Sequence, residues 1–339
     1  MKVILKNISY AEEYAKFSKN KISSDIVFKE KNIVVLGNFD GVHLGHHEII
    51  KRAIDLGKKL NQKVLIYTFR EYPKKKDTLI TTLSEKLYIL EKMKIDYVYL
   101  EEFFDINELS PEEFINKIII DKLNASEVFC GFNYSFGSGR KGDISKLQEL
   151  LKDKVKVNII NPVLFNLKTD ELKIVELNEL KAYLDKEYCV ISSTFIKTLI
   201  ENGKMAHVQK LLGHEYIIMG KVVHGKKLAR TLGFPTANLL SKNKIYPMFA
   251  VYGVKIKVED DDTQYYGIMN IGKNPTIENE GLHIETHIFD FDMEIYDKII
   301  AVELLENIRL EKRMNSLEEL KKQILMDTKI WKEKIYDKY

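Results

Sequence analysis

The alternation of apolar and polar positions changes character once along the chain. In the first 200 residues, short apolar, β-branched runs (NIVVLG, KVLIYTF, YVYLEEF, EVFCGF, KVNII) alternate with stretches of helical period (HEIIKRAIDLGKKL, SEKLYILEKM, SPEEFINKIIIDKL, ISKLQELLKD). Strands separated by helices predict an α/β domain with a doubly wound parallel sheet. Ser110, Pro111 and Glu113 read as an N-cap, a first-turn proline and a capping box. After about residue 215, closely spaced β-like runs take over: YIIMGKVVHG, FAVYGVKIKV, QYYGIMNIG, HIETHIFDFD and KIIAVELLENI. They predict an antiparallel barrel or sandwich. A closing helix is expected over SLEELKKQILMDTKIWKEKI, with Leu317, Leu320, Ile324 and Ile330 near one face and Trp331 packed there. The domain boundary falls near residues 200 to 212, after FIKTLIENGK, and is placed between residues 203 and 204.

Composition narrows the class. The 339 residues are 45% apolar and 30% charged, and 53 basic against 50 acidic side chains leave a net charge of +3. That balance argues against a dedicated nucleic-acid binder. No apolar run is long enough for a membrane span, and MKVILKNISYAEEYAK lacks a signal-peptide core, so a cytosolic location and no membrane partner are expected. Cys130 and Cys189 cannot make a disulfide framework, and Cys130 reads as core.

The chemistry concentrates in VVLGNFDGVHLGHHEII. Three of eight histidines crowd between a strand that ends in glycine and the start of a helix. Free N–H groups and the helix dipole favour phosphate at such a junction. His43 and His46, three apart, can face one point, and Gly45 lets backbone approach a ligand closely. Two plainer readings compete: histidines that cap and solvate a helix start, or a metal site completed by Asp40 and Glu48. The string GSGRKG at 137–142 matches G-x-G-x-x-G, but no carboxylate follows the next strand to hold a ribose.

GNFDGVHLGH resembles the H-x-G-H signature of nucleotidylyltransferases. The form with GNFDG in front, followed by GFNYSFGSGRKGD, ISSTFIK, GKVVHG, LGFPTANL, NIGKNPT and ETHIFDFD in order, resembles the prokaryotic bifunctional riboflavin kinase/FAD synthetases over nearly the whole chain. The resemblance implies an N-terminal FMN adenylyltransferase domain (1–203) and a C-terminal riboflavin kinase β-barrel domain with a final helix (204–339). Riboflavin, FMN, FAD and ATP would be the partners, and Mg²⁺ would accompany ATP.

The resemblance also implies residue roles. His43 and His46 would contact the ATP phosphates and the transition state. Gly37, Asn38 and Asp40 would shape that pocket, and Ser192, Ser193 and Thr194 would meet phosphates. Lys197 stands where the family has arginine; it keeps the charge and loses the bidentate fork. Asn133 would lie on the flavin side, and the GSGRKG loop would close over the adenylylation site. In the second half, Gly225 and Lys226 belong to a glycine-rich loop over ATP, Thr236 and Asn238 would bind Mg²⁺-ATP, and Glu285 would be the general base. Arg309 and Glu311 match the flavin-side segment. Ala229, Ala250 and Asp297 occupy positions where the family usually has glycine, which raises the possibility of a flavin-binding domain with a weakened kinase. A nucleotidylyltransferase for another substrate would leave the second-half motifs without a role.

Overall fold

The computed structural model describes residues 1–7, 11–18, 21–24, 26–70, 79–225, 232–241, 243–273 and 282–338. Lys226, Ala229 and the end of NIGKNPT lie outside them. The five strands read in the first half form where expected: β3 (Asn32–Leu36), β4 (Lys63–Phe69), β5 (Tyr97–Glu101), β6 (Ala125–Gly131) and β7 (Lys156–Ile160). Two more, β1 (Lys2–Leu5) and β2 (Lys21–Ser23), extend one edge of a seven-stranded sheet of order β2-β1-β5-β4-β3-β6-β7, whose pairs are all parallel. Their four- and three-residue lengths hid them from periodicity. β3 is buried at every position, as a central parallel strand covered on both faces should be.

The expected helices form at Leu44–Leu60, Leu83–Lys92 and Ile144–Leu151. The Ser110/Glu113 capping box with Pro111 behind it is present. The helix it starts continues as a π-helix over Phe114–Lys122, a winding that the apolar period does not reveal. A small antiparallel sheet, β8 (Val163–Asn166), β9 (Leu172–Ile174) and β10 (Tyr188–Val190), follows and was not expected.

The second half closes into a barrel of order β11-β12-β15-β14-β13-β16. Its strands are β11 (Tyr216–Val223), β12 (Ala237–Leu240), β13 (Ala250–Val258), β14 (Gln264–Lys273), β15 (Leu282–Ile288) and β16 (Ile299–Leu310). Only β12, the strand inside LGFPTANL, was not read as a strand. The final helix, Leu317–Lys338, lies on the outside of the barrel and drives Trp331 into a fully buried slot with Val251, Ile268 and Phe289.

The two halves share apolar core. One cluster runs from Ile80, Val163 and Ile196 through Val208 to Ile218 and Val302 of the barrel. A second joins Ile33 and Leu87 to Ile217, Met219 and Ile299.

Candidate active sites

In the sheet order, β3 lies between β4 and β6, and the chain leaves β3 toward β4 but leaves β6 toward β7, in opposite directions. The carboxyl ends of β3 and β6 therefore border the crevice where open α/β sheets bind ligands. The GNFDG loop leaves β3 there and Asn133 follows β6. A Cβ on Gly131 would lie 3.5 Å from both Asn133 Oδ1 and Ile49 of the histidine helix.

The loop is wound tightly. Gly41 has φ +80°, and two bulky residues, Phe39 (φ 52°) and Val42 (φ 40°), are also left-handed. Such backbone persists only where its surroundings over-determine it. Several tethers do so. The Asn38 carbonyl accepts from Lys86 Nζ at 2.8 Å and from Thr68 Oγ1 at 3.1 Å. Asp40 Oδ1 accepts the Ile80 and Thr81 N–H groups at 2.8 and 3.2 Å. Gly41 N–H donates to Thr81 Oγ1 at 3.0 Å, and Ser193 Oγ donates to the Asp40 carbonyl at 2.9 Å. Gly37 is glycine because a Cβ would stand 2.8 Å from the Phe39 ring.

His43 occupies the N-cap position of helix Leu44–Leu60 and makes no side-chain cap bond. Its ring stacks on His46 with centroids 3.7 Å apart, and Phe39 closes the other side of His46 at 5.0 Å. The buried Nδ1 atoms of both histidines have no hydrogen-bond partner among the described residues. Burial, reinforced by His47 and His214, pushes the His43 pKa down to about 3. Burial likewise holds His46 well below its ordinary value. Both are therefore neutral at physiological pH.

The capping and metal readings both fail on contacts. No side-chain cap is made. Asp40 is held by two backbone N–H groups and by Lys197 at 2.7 Å, and Glu48 pairs with Arg52 at 2.6 Å. Among the described residues no group of three His, Cys, Asp or Glu is placed to hold a metal ion.

The ISST segment joins the loop from far along the chain. A Cβ on Gly45 would meet the His43 ring at 3.2 Å and the Ile191 carbonyl at 3.6 Å. Ser192 caps helix Ser193–Glu201 through a bond from Phe195 N–H at 3.2 Å. Thr194 is exposed at its first turn. Lys197, one turn on, has its ammonium on Asp40 and not free in the crevice. The GSGRKG string is a glycine turn, with Gly137 and Gly139 left-handed, bridged from Phe136 to Gly142 and capped by Asp143 into the next helix. Cys130 is fully buried, and burial pushes its thiol up to about 12, so it is inert core.

At the barrel mouth, a cleft of about 600 Å³ is lined by His224, Gly225, Thr236, Asn238, Thr286 and Tyr296, among others. Gly225 must be glycine, since a Cβ would fall 2.3 Å from the Asn238 amide. Pro235 presents its carbonyl to His287 Nδ1 at 2.9 Å, which fixes the segment before Thr236. Glu285 is not in the cleft lining. It stands directly opposite Asn238 of β12 on one side and Asn270 of β14 on the other. Paired residues share a face, so Asn238, Glu285 and Asn270 form a polar row across three strands. Glu285 Oε1 lies 2.8 Å from His283 Nε2. Thr286, the next residue of β15, lines the cleft, is fully buried with no hydrogen-bond partner for its hydroxyl among the described residues, and was not singled out by the sequence.

Arg309 is spoken for. Its guanidinium grips both carboxylate oxygens of buried Asp327 at 2.8 to 3.0 Å, tying the last helix to β16. Glu311 N–H donates to the Phe249 carbonyl at 3.1 Å, and its carboxylate lies over Gly272, where a Cβ would be 2.0 Å from Oε1. Lys86 and Glu85 were also missed. On a helix of regular period a lone lysine reads as a solvated charge, yet Lys86 is buried.

Fold and sites together give a chain with one candidate phosphate site on an α/β sheet and a second candidate site at the mouth of a β-barrel. The FAD synthetase family model matches residues 25–174, and the riboflavin kinase family model matches residues 212–335. The bifunctional riboflavin kinase/FMN adenylyltransferase of Bacillus subtilis (strain 168) is 34% identical over 309 residues, covering 88% of this chain and 90% of that protein. The enzyme of the same description from Escherichia coli (strain K12) is 31% identical over 310 residues, covering 88% and 91%. A solved structure described as a macrolide-efflux protein from Streptococcus pneumoniae superposes with a TM-score of 0.74 at 28% identity, covering 100% of this chain and 99% of that one. Among the described residues no helix is long and apolar enough to cross a membrane. The chain belongs to the bifunctional riboflavin kinase/FMN adenylyltransferase family.

Proposed function

We propose that residues 204–339 phosphorylate riboflavin with ATP to give FMN, and that residues 1–203 transfer AMP from a second ATP to FMN, giving FAD and pyrophosphate. The observation that carries the second step is the stacked, neutral His43–His46 pair at a helix start, with ISST beside it. In adenylylation an FMN phosphate oxygen attacks the α-phosphorus of ATP, and the bond to pyrophosphate breaks. No side chain needs to form a covalent intermediate. His43 and His46 donate hydrogen bonds to the phosphates as charge shifts toward the leaving group. The N-terminus of helix Leu44–Leu60 adds its dipole. Ser192, Ser193 and Thr194 complete the phosphate contacts, Gly37 and Asn38 shape the pocket, and Asn133 faces the flavin. Asp40 and Lys197 hold the loop before ATP arrives, and Lys197 is free to exchange Asp40 for a phosphate.

In the barrel, Glu285 accepts the proton of the riboflavin hydroxyl as it attacks the γ-phosphorus. Thr236 and Asn238 supply hard oxygen donors beside Gly225, whose missing Cβ leaves room for the Asn238 amide. That donor set fits Mg²⁺ carried by the nucleotide, which would neutralise phosphate charge. Gly225 belongs to the ATP loop, Lys226 follows it in sequence outside the described residues, and Arg309 and Glu311 border the flavin side, Arg309 through its hold on the last helix. ATP as the common substrate goes with a cytoplasmic location.

Paired kinetics test the reading. His43→Ala or His46→Ala should slow FMN adenylylation by about 10²–10³-fold and leave riboflavin phosphorylation intact. Glu285→Gln should slow riboflavin phosphorylation by about 10²–10⁴-fold, in turnover more than in KM, and leave adenylylation intact. Normal FAD formation from FMN by the double histidine variant would remove that pair from the reaction. Equal loss of both activities in Glu285→Gln would refute the division into two sites.

A further inference from the structure

The strained loop that carries His43 is held by a segment that the barrel holds in turn. Residues 79 to 86 run between the two halves. On one face this strap makes most of the tethers to the phosphate loop. Ile80 and Thr81 N–H groups go to Asp40, Thr81 Oγ1 takes the Gly41 N–H, and Lys86 Nζ donates to the Asn38 carbonyl.

On its other face the strap is bound to the barrel. Ile245 N–H donates to the Leu79 carbonyl at 2.8 Å. Glu85 closes the capping box with Thr82 and accepts the Met219 N–H at 2.9 Å. Its second oxygen receives Lys244 Nζ at 2.8 Å, and neither side chain of that pair has any exposure. Lys244 also donates to the Ile217 carbonyl at 2.6 Å and lies over the Tyr216 ring at 4.4 Å.

A fully buried ion pair is poor evidence of stability, because apolar residues of the same shape do as well or better. Its geometric consequence is specific. Glu85 and Lys86 are neighbours in the first turn of one capped helix, so fixing the Glu85 carboxylate fixes where the Lys86 stem begins. Lys86 then holds the Asn38 carbonyl, one peptide before left-handed Phe39, and the Phe39 ring lies 5.0 Å from His46.

We propose that Lys244, a residue of the kinase barrel, is a positioning residue for FMN adenylylation, acting through Glu85 and Lys86 on the Asn38–Phe39 turn that sets His46. The proposal rests on the reading that His43 and His46 mark the adenylylation site. Both ammonium groups belong to the built structure. Burial pulls the Lys86 pKa down to about 8, and Asp40 opposes that pull. Burial also lowers the pKa of Lys244, with Glu85 acting against it. Neither lysine is in the kinase machinery, so riboflavin phosphorylation serves as an internal control.

Three variants of the full chain test it: Lys86→Met, Lys244→Met and the charge-free double variant Glu85→Gln/Lys244→Met. The double variant leaves no uncompensated carboxylate, so it keeps the test open should Lys244→Met fail to fold. Lys86→Met has no carboxylate partner to strand. The expected result is a fall in kcat for FMN adenylylation of between about 10- and 10²-fold, the range for misplaced reacting groups, in Lys86→Met and in the double variant. KM for ATP and riboflavin phosphorylation should be little changed. A wild-type adenylylation kcat in the folded double variant would mean that the pair only balances charge, and the proposal fails. A wild-type kcat in Lys86→Met would break the last link and also defeat it. A loss confined to KM for ATP in Lys86→Met would make Lys86 a direct phosphate ligand, which equally overturns a positioning role. His43→Ala assayed alongside separates the two claims. If it retains adenylylation, the site reading is at fault; if it alone loses adenylylation, the relay is.

Discussion

At the scale of single residues, neutrality of the histidine pair has consequences for pH. His43 is held at about 3 and His46 well below its ordinary value, both chiefly by burial. A neutral imidazole that donates one N–H is therefore the resting species, so kcat/KM for FMN adenylylation should carry no histidine limb between about pH 5 and pH 8. A bend near the ordinary histidine value of about 6.5 that disappears in His43→Asn, and so does not come from ionisation of the substrate phosphates, would contradict this. Stability behaves differently. The unfolded chain takes up protons on these histidines below about pH 6.5, whereas the folded chain does not. The folded state then binds fewer protons, and stability falls as pH drops. The contribution is complete above the unfolded value and is lost progressively toward the folded value of about 3 for His43. Thermal melts across this window should show a Tm that falls with acid, and His43→Asn should flatten the fall. Lys197 illustrates a role that sequence alone placed differently. The lysine in the arginine's place has its ammonium on Asp40 in the structure, because a partly covered ammonium and a buried carboxylate lie within reach once the Ser193–Glu201 helix docks.

At the scale of elements, two of the three glycine exchanges, at Ala250 and Asp297, fit their backbone. Ala250 sits in a regular part of β13, fully buried opposite Ile271 and Leu310, and is not left-handed. Three residues on in the same strand stands Gly253, where a Cβ would strike the Trp331 ring at 2.4 Å. That glycine makes the slot for the final helix. Asp297 does adopt the left-handed form glycine would (φ 65°), and its carboxylate pairs with Lys221 at 2.7 Å. The strain expected of these substitutions is therefore absent at Ala250 and tolerated at Asp297; Ala229 lies outside the described residues. Asp297→Gly should leave the riboflavin kinase rate unchanged. A substantial increase would show that the aspartate restrains the loop. Gly253→Ala, by contrast, overpacks the Trp331 slot and should cost about 1–3 kcal/mol of stability. Limited proteolysis should then release the C-terminal helix ahead of the barrel, and unchanged protection would refute the slot.

At the scale of the whole molecule, the two activities share one interior. Apolar clusters cross from the sheet into the barrel, Tyr88 and Lys92 reach Glu303, and the Glu85–Lys244 pair lies between them. Such continuity predicts that the full chain unfolds in a single cooperative transition, with calorimetric and van't Hoff enthalpies in agreement. Two resolved transitions would mean that the halves are independent.

What the sequence determined by itself follows from local rules. Strands buried on both faces read as continuous apolar runs, helices show their 3.6-residue period, and caps and turns use residue types suited to their backbone, so the five longer strands of the sheet, the barrel strands other than β12 and the Ser110 box were legible. The ordered motifs identified the family for the same reason: backbone that must approach phosphate needs particular residues at particular spacings. Tertiary structure alone decided what depends on contacts between distant segments. It joined ISST to the histidine loop, placed Glu285 between Asn238 and Asn270, and bound Arg309 to Asp327. It also buried Glu85, Lys86 and Lys244, which in sequence are three ordinary charges. Periodicity cannot show which face of a charged helix turn a second domain will cover, because burial is fixed by the docking of the halves and not by the turn itself.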